Sequence, residues 1–129
     1  MGGEPRRGDY AATCLTPDIT RYGINRSYLA EGICGTGSVL VLKVIKGLPG
    51  EHFTVQNKFL EINGRSYHIM DYDSSGRPLK VFYKEKAGVL DEGKYILLSD
   101  CVQNSWDSRY WGPVKIQFLL KPLWIFEHT

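Results

Sequence analysis

Strand signals dominate the pattern of apolar and polar positions along the chain. Ser38–Ile45 (SVLVLKVI) is a β-branched and leucine-rich run, bounded by Gly35 and Gly37 on one side and by Gly47, Pro49 and Gly50 on the other. A run that short between such punctuation predicts a strand, not a helix. His52–Gln56, Phe59–Ile62 and Arg65–Ile69 follow, separated only by Asn57-Lys58 and Asn63-Gly64. Asn-Gly between two apolar-alternating runs is a strong hairpin signal, because both turn positions take φ > 0. These segments therefore predict an antiparallel meander. Further strands are expected at Asp9–Leu15, Leu79–Tyr83, Lys94–Leu98 and Val114–Leu120, with a turn-rich loop at Asp71–Pro78 and a polar connection around Gly88–Gly93. Pro17–Leu29 is the one stretch able to hold a helix, and Gly23 interrupts it. Asp100–Ser108 follows no period at all. The expected architecture is an all-β or β-rich, barrel-like antiparallel domain spanning residues 1–129 without linkers or internal repeats.

Composition narrows the class. A chain of 129 residues suits one domain with a real core. With 43% apolar and 23% charged residues it sits near the globular average, which excludes collagen-like, low-complexity and disordered readings. Sixteen Lys+Arg against fourteen Asp+Glu leave a net charge of +2, too balanced to point to nucleic acid. No apolar run approaches the roughly 18 residues that span a bilayer, and the polar start Met-Gly-Gly-Glu-Pro-Arg-Arg shows no secretory h-region. Taken alone, these features describe a soluble domain. The three cysteines, Cys14, Cys34 and Cys101, form no CxxC or Cys/His cluster, so neither a zinc site nor another metal or cofactor is expected. Two readings of them stand side by side: three reduced thiols, or a Cys14–Cys34 bridge closing a loop of about twenty residues for about 3 kcal/mol.

Two places carry candidate chemistry. Lys43 has apolar neighbours on either strand parity: Val39, Val41 and Ile45 on one, Leu40, Leu42 and Val44 on the other. Burial disfavours an ammonium, and a lysine neutral near pH 7 can act as a general base. Alternatively the stem packs on apolar surface and the amine reaches water. The second place is Asp100–Gly112 (DCVQNSWDSRYWG), dense in polar groups that need partners if buried. There Asp107 and Arg109, two apart, can pair as a charge-assisted clamp.

Taken together, these pieces resemble a known family. Lys43-Val-Ile-Lys-Gly-Leu-Pro-Gly-Glu51 resembles the lysine box of the signal peptidase I superfamily. Leu98–Pro113, with its Ser-x-Asp-Ser-Arg-Tyr-x-Gly core, resembles the downstream box, and Pro5-Arg-Arg-Gly-Asp-Tyr10 is similar to the segment that opens the catalytic β-domain. The boxes occur in family order over most of the chain. Cys14-Leu-Thr-Pro17, Gly32-Ile-Cys34, Asp73–Leu79 and Leu97-Leu-Ser-Asp100 resemble the TraF-type conjugal-transfer peptidases, which process pilin subunits.

That resemblance implies a serine endopeptidase with a Ser/Lys dyad, a variant of triad logic in which lysine replaces histidine as base. It assigns Lys43 as general base and Ser105 as the residue orienting its amine. Asp107 and Arg109, with Asp100, support the loop. Lys46 falls on the opposite strand parity and is not expected to be catalytic. An extracytoplasmic family makes Cys14–Cys34 the expected disulfide and leaves Cys101 without a role. The family's nucleophile lies upstream of Pro5-Arg-Arg-Gly-Asp9, just after a membrane anchor, whereas only Met1–Glu4 precede that segment here. The expectation is therefore a truncated form without its nucleophile, soluble as it stands, of a protein anchored at the periplasmic face of the bacterial inner membrane. Its partner would be an extended peptide or pilin precursor. The alternative is a non-catalytic peptide-binding β-domain of the same fold.

Overall fold

The computed structural model describes residues 4–99 and 105–120. In chain order the elements are β1 (Tyr10–Thr13), α1 (Pro17–Asn25), β2 (Val41–Gly47), β3 (His52–Gln56), β4 (Phe59–Ile62), β5 (Arg65–His68), β6 (Ala87–Val89), β7 (Ile96–Leu98), α2 (Ser108–Trp111) and β8 (Phe118–Leu120). The strands form two four-stranded antiparallel sheets, ordered β7-β2-β1-β8 and β5-β4-β3-β6. The β-rich antiparallel expectation holds, and among the described residues the strands make two separate sheets with no closed barrel. Among the described residues no helix is long and apolar enough to cross a membrane.

The meander forms where the turn residues demand it. Asn57 and Lys58, and again Asn63 and Gly64, all take positive φ, the conformation that two-residue hairpin turns require. β4 then alternates cleanly, with Leu60 and Ile62 buried and Phe59 and Glu61 exposed. Leu60 and Ile62 meet Ala11, Val41, Ile45 and Leu97 of the other sheet in one apolar core, closed by Ile19, Tyr110 and Trp111.

Elsewhere the boundaries move. Leu79–Tyr83 is irregular and not a strand, because its backbone partners lie outside any strand: Leu79 N–H donates to Asp71 O in a loop and Phe82 N–H to Tyr110 O in α2. The missing strand is β6, inside the segment read as a polar connection, where Ala87–Val89 pairs with β3. Ser108–Trp111, expected to be irregular at its start, makes a helical turn. Val114–Leu120 is a strand only from Phe118, with an isolated bridge between Val114 and Tyr95.

Candidate active site

β2 runs between β1 and β7, pairing with β1 over Val41–Val44 and with β7 from Val44 to Gly47. Ala11 of β1 pairs with Lys43, and Val44 and Ile45 pair with Leu98 and Leu97 of β7. Continuing that register by one residue sets Ser99 opposite Lys43, and the Lys43 amine donates to Ser99 Oγ at 2.8 Å. Directly opposed residues share a face of the sheet. Here that face carries Ala11, Ile45 and Leu97, each fully buried. The lysine is half-buried at its rim, and burial holds its ammonium below the usual lysine range, with the Arg109 charge acting the same way and the Asp107 charge opposing both. Lys46 falls where the β2–β7 register slips between Ile45 and Gly47, and so leaves the alternation that carries Lys43 and Ile45.

Behind Ser99 lies a buried clamp. Asp107 caps α2: its Oδ1 accepts from the Arg109 backbone N–H at 3.0 Å and from Arg109 Nε at 2.9 Å. Its Oδ2 accepts from the Ser99 backbone N–H at 3.2 Å. Ser108 Oγ accepts from the Leu97 N–H at 2.9 Å. Alternate N–H groups of a strand point the same way, and β7 is the outermost strand of its sheet. Asp107 and Ser108 thus satisfy the β7 donors that face away from β2, which would otherwise be left unpaired near the core. Arg109 spreads its remaining donors over the carbonyls of His68, at 2.8 Å, and Ser105, at 2.7 Å. Asp107, Ser108 and Arg109 are all buried. Carboxylate and guanidinium are therefore desolvated together, an arrangement tolerable only with this density of hydrogen bonds.

The other residues singled out in the sequence distribute as follows. The amine's hydrogen bond goes to Ser99, where the sequence placed Ser105. The physical reason is register, since residue 99 continues β7 directly opposite Lys43 while residue 105 lies beyond the strand. Ser105 enters through its carbonyl on Arg109, and it also lines a cleft of about 220 Å³ with Tyr28, Met70, Asp73, Trp106 and Tyr110. A second cleft of about 480 Å³ opens beside Ile19, Phe53, Phe82, Tyr83, Leu90 and Trp111. Neither is lined by Lys43 or Ser99. Asp100 and Cys101 lie outside the described residues. Cys14 and Cys34 are disulfide-bonded, tying the end of β1 to the loop before β2. Among the described residues no group of His, Cys, Asp and Glu is placed to hold a metal ion. Sequence reasoning missed Ser99 and the capping role of Ser108. The legible signal for Ser99 was its parity with Leu97.

Upstream, the chain is pinned along β2. Gly8 N–H donates to Ile45 O at 2.9 Å and Ile45 N–H to Asp9 O at 2.8 Å. Arg7 reaches Lys46 O at 2.9 Å and pairs with Glu51, whose Oε1 also accepts from Leu48 N–H. The Gly-Leu-Pro-Gly turn and the segment entering β1 are therefore held as one unit beside the lysine strand.

With this geometry in place, comparison with known proteins is specific. The family model described as "Signal peptidase, peptidase S26" matches residues 2–120. The conjugal transfer protein TraF of Agrobacterium tumefaciens (strain 15955) is 30% identical over 105 residues, which cover 79% of this chain and 58% of that protein. A plasmid transfer protein TraF of Escherichia coli is 29% identical over 92 residues, covering 69% of this chain and 51% of that one. The chain thus spans little more than half the length of these relatives. A crystal structure of a signal peptidase I from Enterococcus faecalis V583 superposes with a TM-score of 0.49 at 25% identity, covering 92% of this chain and 98% of the other.

Proposed function

Because this chain belongs to the signal peptidase S26 family, we propose that it is the lysine-bearing part of a serine endopeptidase that processes a precursor peptide during conjugal transfer. Lys43 is the general base. It takes the proton of a serine hydroxyl as that oxygen attacks the scissile carbonyl, then returns the proton to the leaving amine. The single observation that supports this reading is the half-buried Lys43 amine. Its one hydrogen bond among the described residues goes to a neutral hydroxyl, and burial lowers its basicity.

The attacking serine, in this reading, comes from a segment upstream of Pro5. Ser38 and Ser108 are fully buried with their hydroxyls engaged, and Ser27, Ser66, Ser74 and Ser75 are exposed. The relatives are named for conjugal and plasmid transfer, which favours a pilin or other secreted precursor, taken as an extended peptide. The Cys14–Cys34 disulfide favours an oxidising compartment, the periplasmic side of the inner membrane.

The test uses the protein with its upstream coding segment and the pilin precursor of the same transfer system. Lys43→Ala should reduce processing by more than about 10³-fold, as loss of a dyad member does. Processing that survives Lys43→Ala at the parent rate would overturn the reading, leaving a β-domain that only binds its peptide.

A further inference from the structure

β6 is an outermost strand of its sheet, and the cleft of about 480 Å³ adjoins it. Val55 N–H donates to Lys86 O and Leu90 N–H to Glu51 O, so the even-numbered residues of this segment bond toward β3. Alternate backbone groups of a strand point opposite ways. The N–H and C=O of Ala87 and Val89 therefore face away from β3, and both residues are exposed. Such an edge is a template for one more strand. The cleft adds selectivity to it. Val89 is exposed and Leu90 buried, as successive strand residues alternate, yet both line the cleft, so it reaches around the edge. Ile19, Phe53, Phe82 and Trp111 give it apolar walls, while Asp18, Glu85 and Asp91 stand with Lys84 and Lys94. Charges of both signs select no strongly charged ligand. Two donors complete the lining. The Trp111 indole N–H and the Tyr83 hydroxyl are buried, and neither has a hydrogen-bond partner among the described residues. Burial raises the Tyr83 pKa, which keeps the phenol protonated. Buried donors of this kind call for acceptors.

We infer that the β6 edge and its cleft form a second peptide site, which takes an extended segment of the precursor as an added strand with an apolar side chain seated in the cleft. Peptide chemistry matches the site in three ways. Main-chain N–H and C=O groups alternate at the spacing needed to meet those of Ala87 and Val89. Every second side chain points the same way, so one apolar side chain can enter between Phe53, Phe82 and Trp111 while its neighbours stay outside. Peptide carbonyls also bring acceptors for the Trp111 and Tyr83 donors. Neither Lys43 nor Ser99 lines this cleft, so the segment held here is not the one cleaved. Tethering the precursor there raises its effective concentration at the lysine. The inference rests on the reading of this chain as part of a precursor-processing enzyme. It goes beyond that reading in placing a recognition site on the other sheet, away from the base.

The test uses this chain labelled with ¹⁵N and overlapping synthetic peptides that tile the pilin precursor of the same transfer system. At least one peptide should shift the Val89 amide and the Trp111 indole signals, and Lys43→Ala should leave that binding unchanged. Methylating the peptide's nitrogens one at a time should abolish binding at alternate positions only, the mark of an added strand. Val89→Pro removes the outward N–H and no hydrogen bond to β3, as an edge strand tolerates. It should keep the folded spectrum and bind the peptide about tenfold more weakly or worse. If that variant does not fold, the methylated peptides decide the matter on the parent chain. In the protein carrying the upstream segment, Val89→Pro should raise KM for the precursor with kcat unchanged, as loss of uniform binding does. The inference is overturned if no peptide moves these signals, if peptides shift only signals around Lys43, or if Val89→Pro binds as the parent does. Signals that move with protein concentration, and not with peptide, would give the edge to a second copy of this chain and overturn it too. None of these results depends on Lys43 being the base, and only survival of processing in Lys43→Ala speaks against that.

Discussion

At the scale of single residues, a charge is placed where charge is disfavoured. The stem of Lys43 shares a sheet face with Ala11 and Ile45, and among the described residues its amine meets one neutral oxygen. Burial lowers its affinity for a proton below that of an unfolded lysine. The sign for stability follows. Between the depressed folded pKa and the ordinary lysine value of about 10.4, the unfolded chain binds more protons than the folded one, so stability rises with pH in that window. Lys43→Met removes the titration. Urea denaturation should therefore show the parent gaining stability relative to Lys43→Met as pH rises from neutrality, and the gap should level off above the ordinary lysine range. Parallel stability curves for the two proteins from pH 7 upward would show that burial does not depress this amine. Apolar flanks on both strand parities made the lysine's desolvation legible from sequence. Its hydroxyl partner was not legible, since Ser99 and Lys43 meet only through cross-strand register.

Elements are held here by side chains that cap other elements. The single turn of α2 matters less for its own helix than for the three residues that open onto β7 and the β5 end: Asp107, Ser108 and Arg109. An aperiodic polar stretch reads as a loop because the partners of its polar groups are far along the chain, and that is why the helical turn was missed. Helix α1 shows the same effect from the apolar side. Pro17 stands at its start, where a missing N–H costs nothing, and Gly23 in its body looked like an interruption. The structure gives Gly23 a reason. A Cβ at that position would lie 2.5 Å from Trp106 Cζ3 and 2.8 Å from Leu29 Cδ1. Trp106 in turn packs against Tyr22, Tyr28 and Trp111, so it has little room to yield. Gly23→Ala should accordingly destabilise the protein by about 1–3 kcal/mol, the usual cost of overpacking, despite alanine's better helix propensity. Chemical denaturation decides it, and a variant as stable as the parent or more so would show that the aromatic cluster can shift.

The molecule as a whole is two sheets sharing one core, with the segment Arg7–Asp9, the turn Leu48–Glu51 and a disulfide binding its periphery. The bond between Cys14 and Cys34 spans 20 residues of sequence, including all of α1. Closing a loop of that size stabilises by about 3 kcal/mol, chiefly by restricting the unfolded chain. The Cys14→Ser/Cys34→Ser double variant should lose about that much in urea denaturation. A loss well under 1 kcal/mol would mean that the α1 region is held by packing alone. The sequence by itself determined what is local: the hairpin turns at Asn57-Lys58 and Asn63-Gly64, the strand character of β2 to β5, the apolar setting of Lys43 and the motifs that mark the family. Those features depend on neighbours a few residues away, where φ preferences and alternation act. Only the tertiary structure decided that β6 pairs with β3, that the described strands divide into two sheets, that Ser99 takes the lysine amine and that Asp107 and Ser108 close the edge of β7. Each of these joins distant or irregular segments by hydrogen bonds whose partners no local period encodes, so burial and register across the whole chain had to settle them.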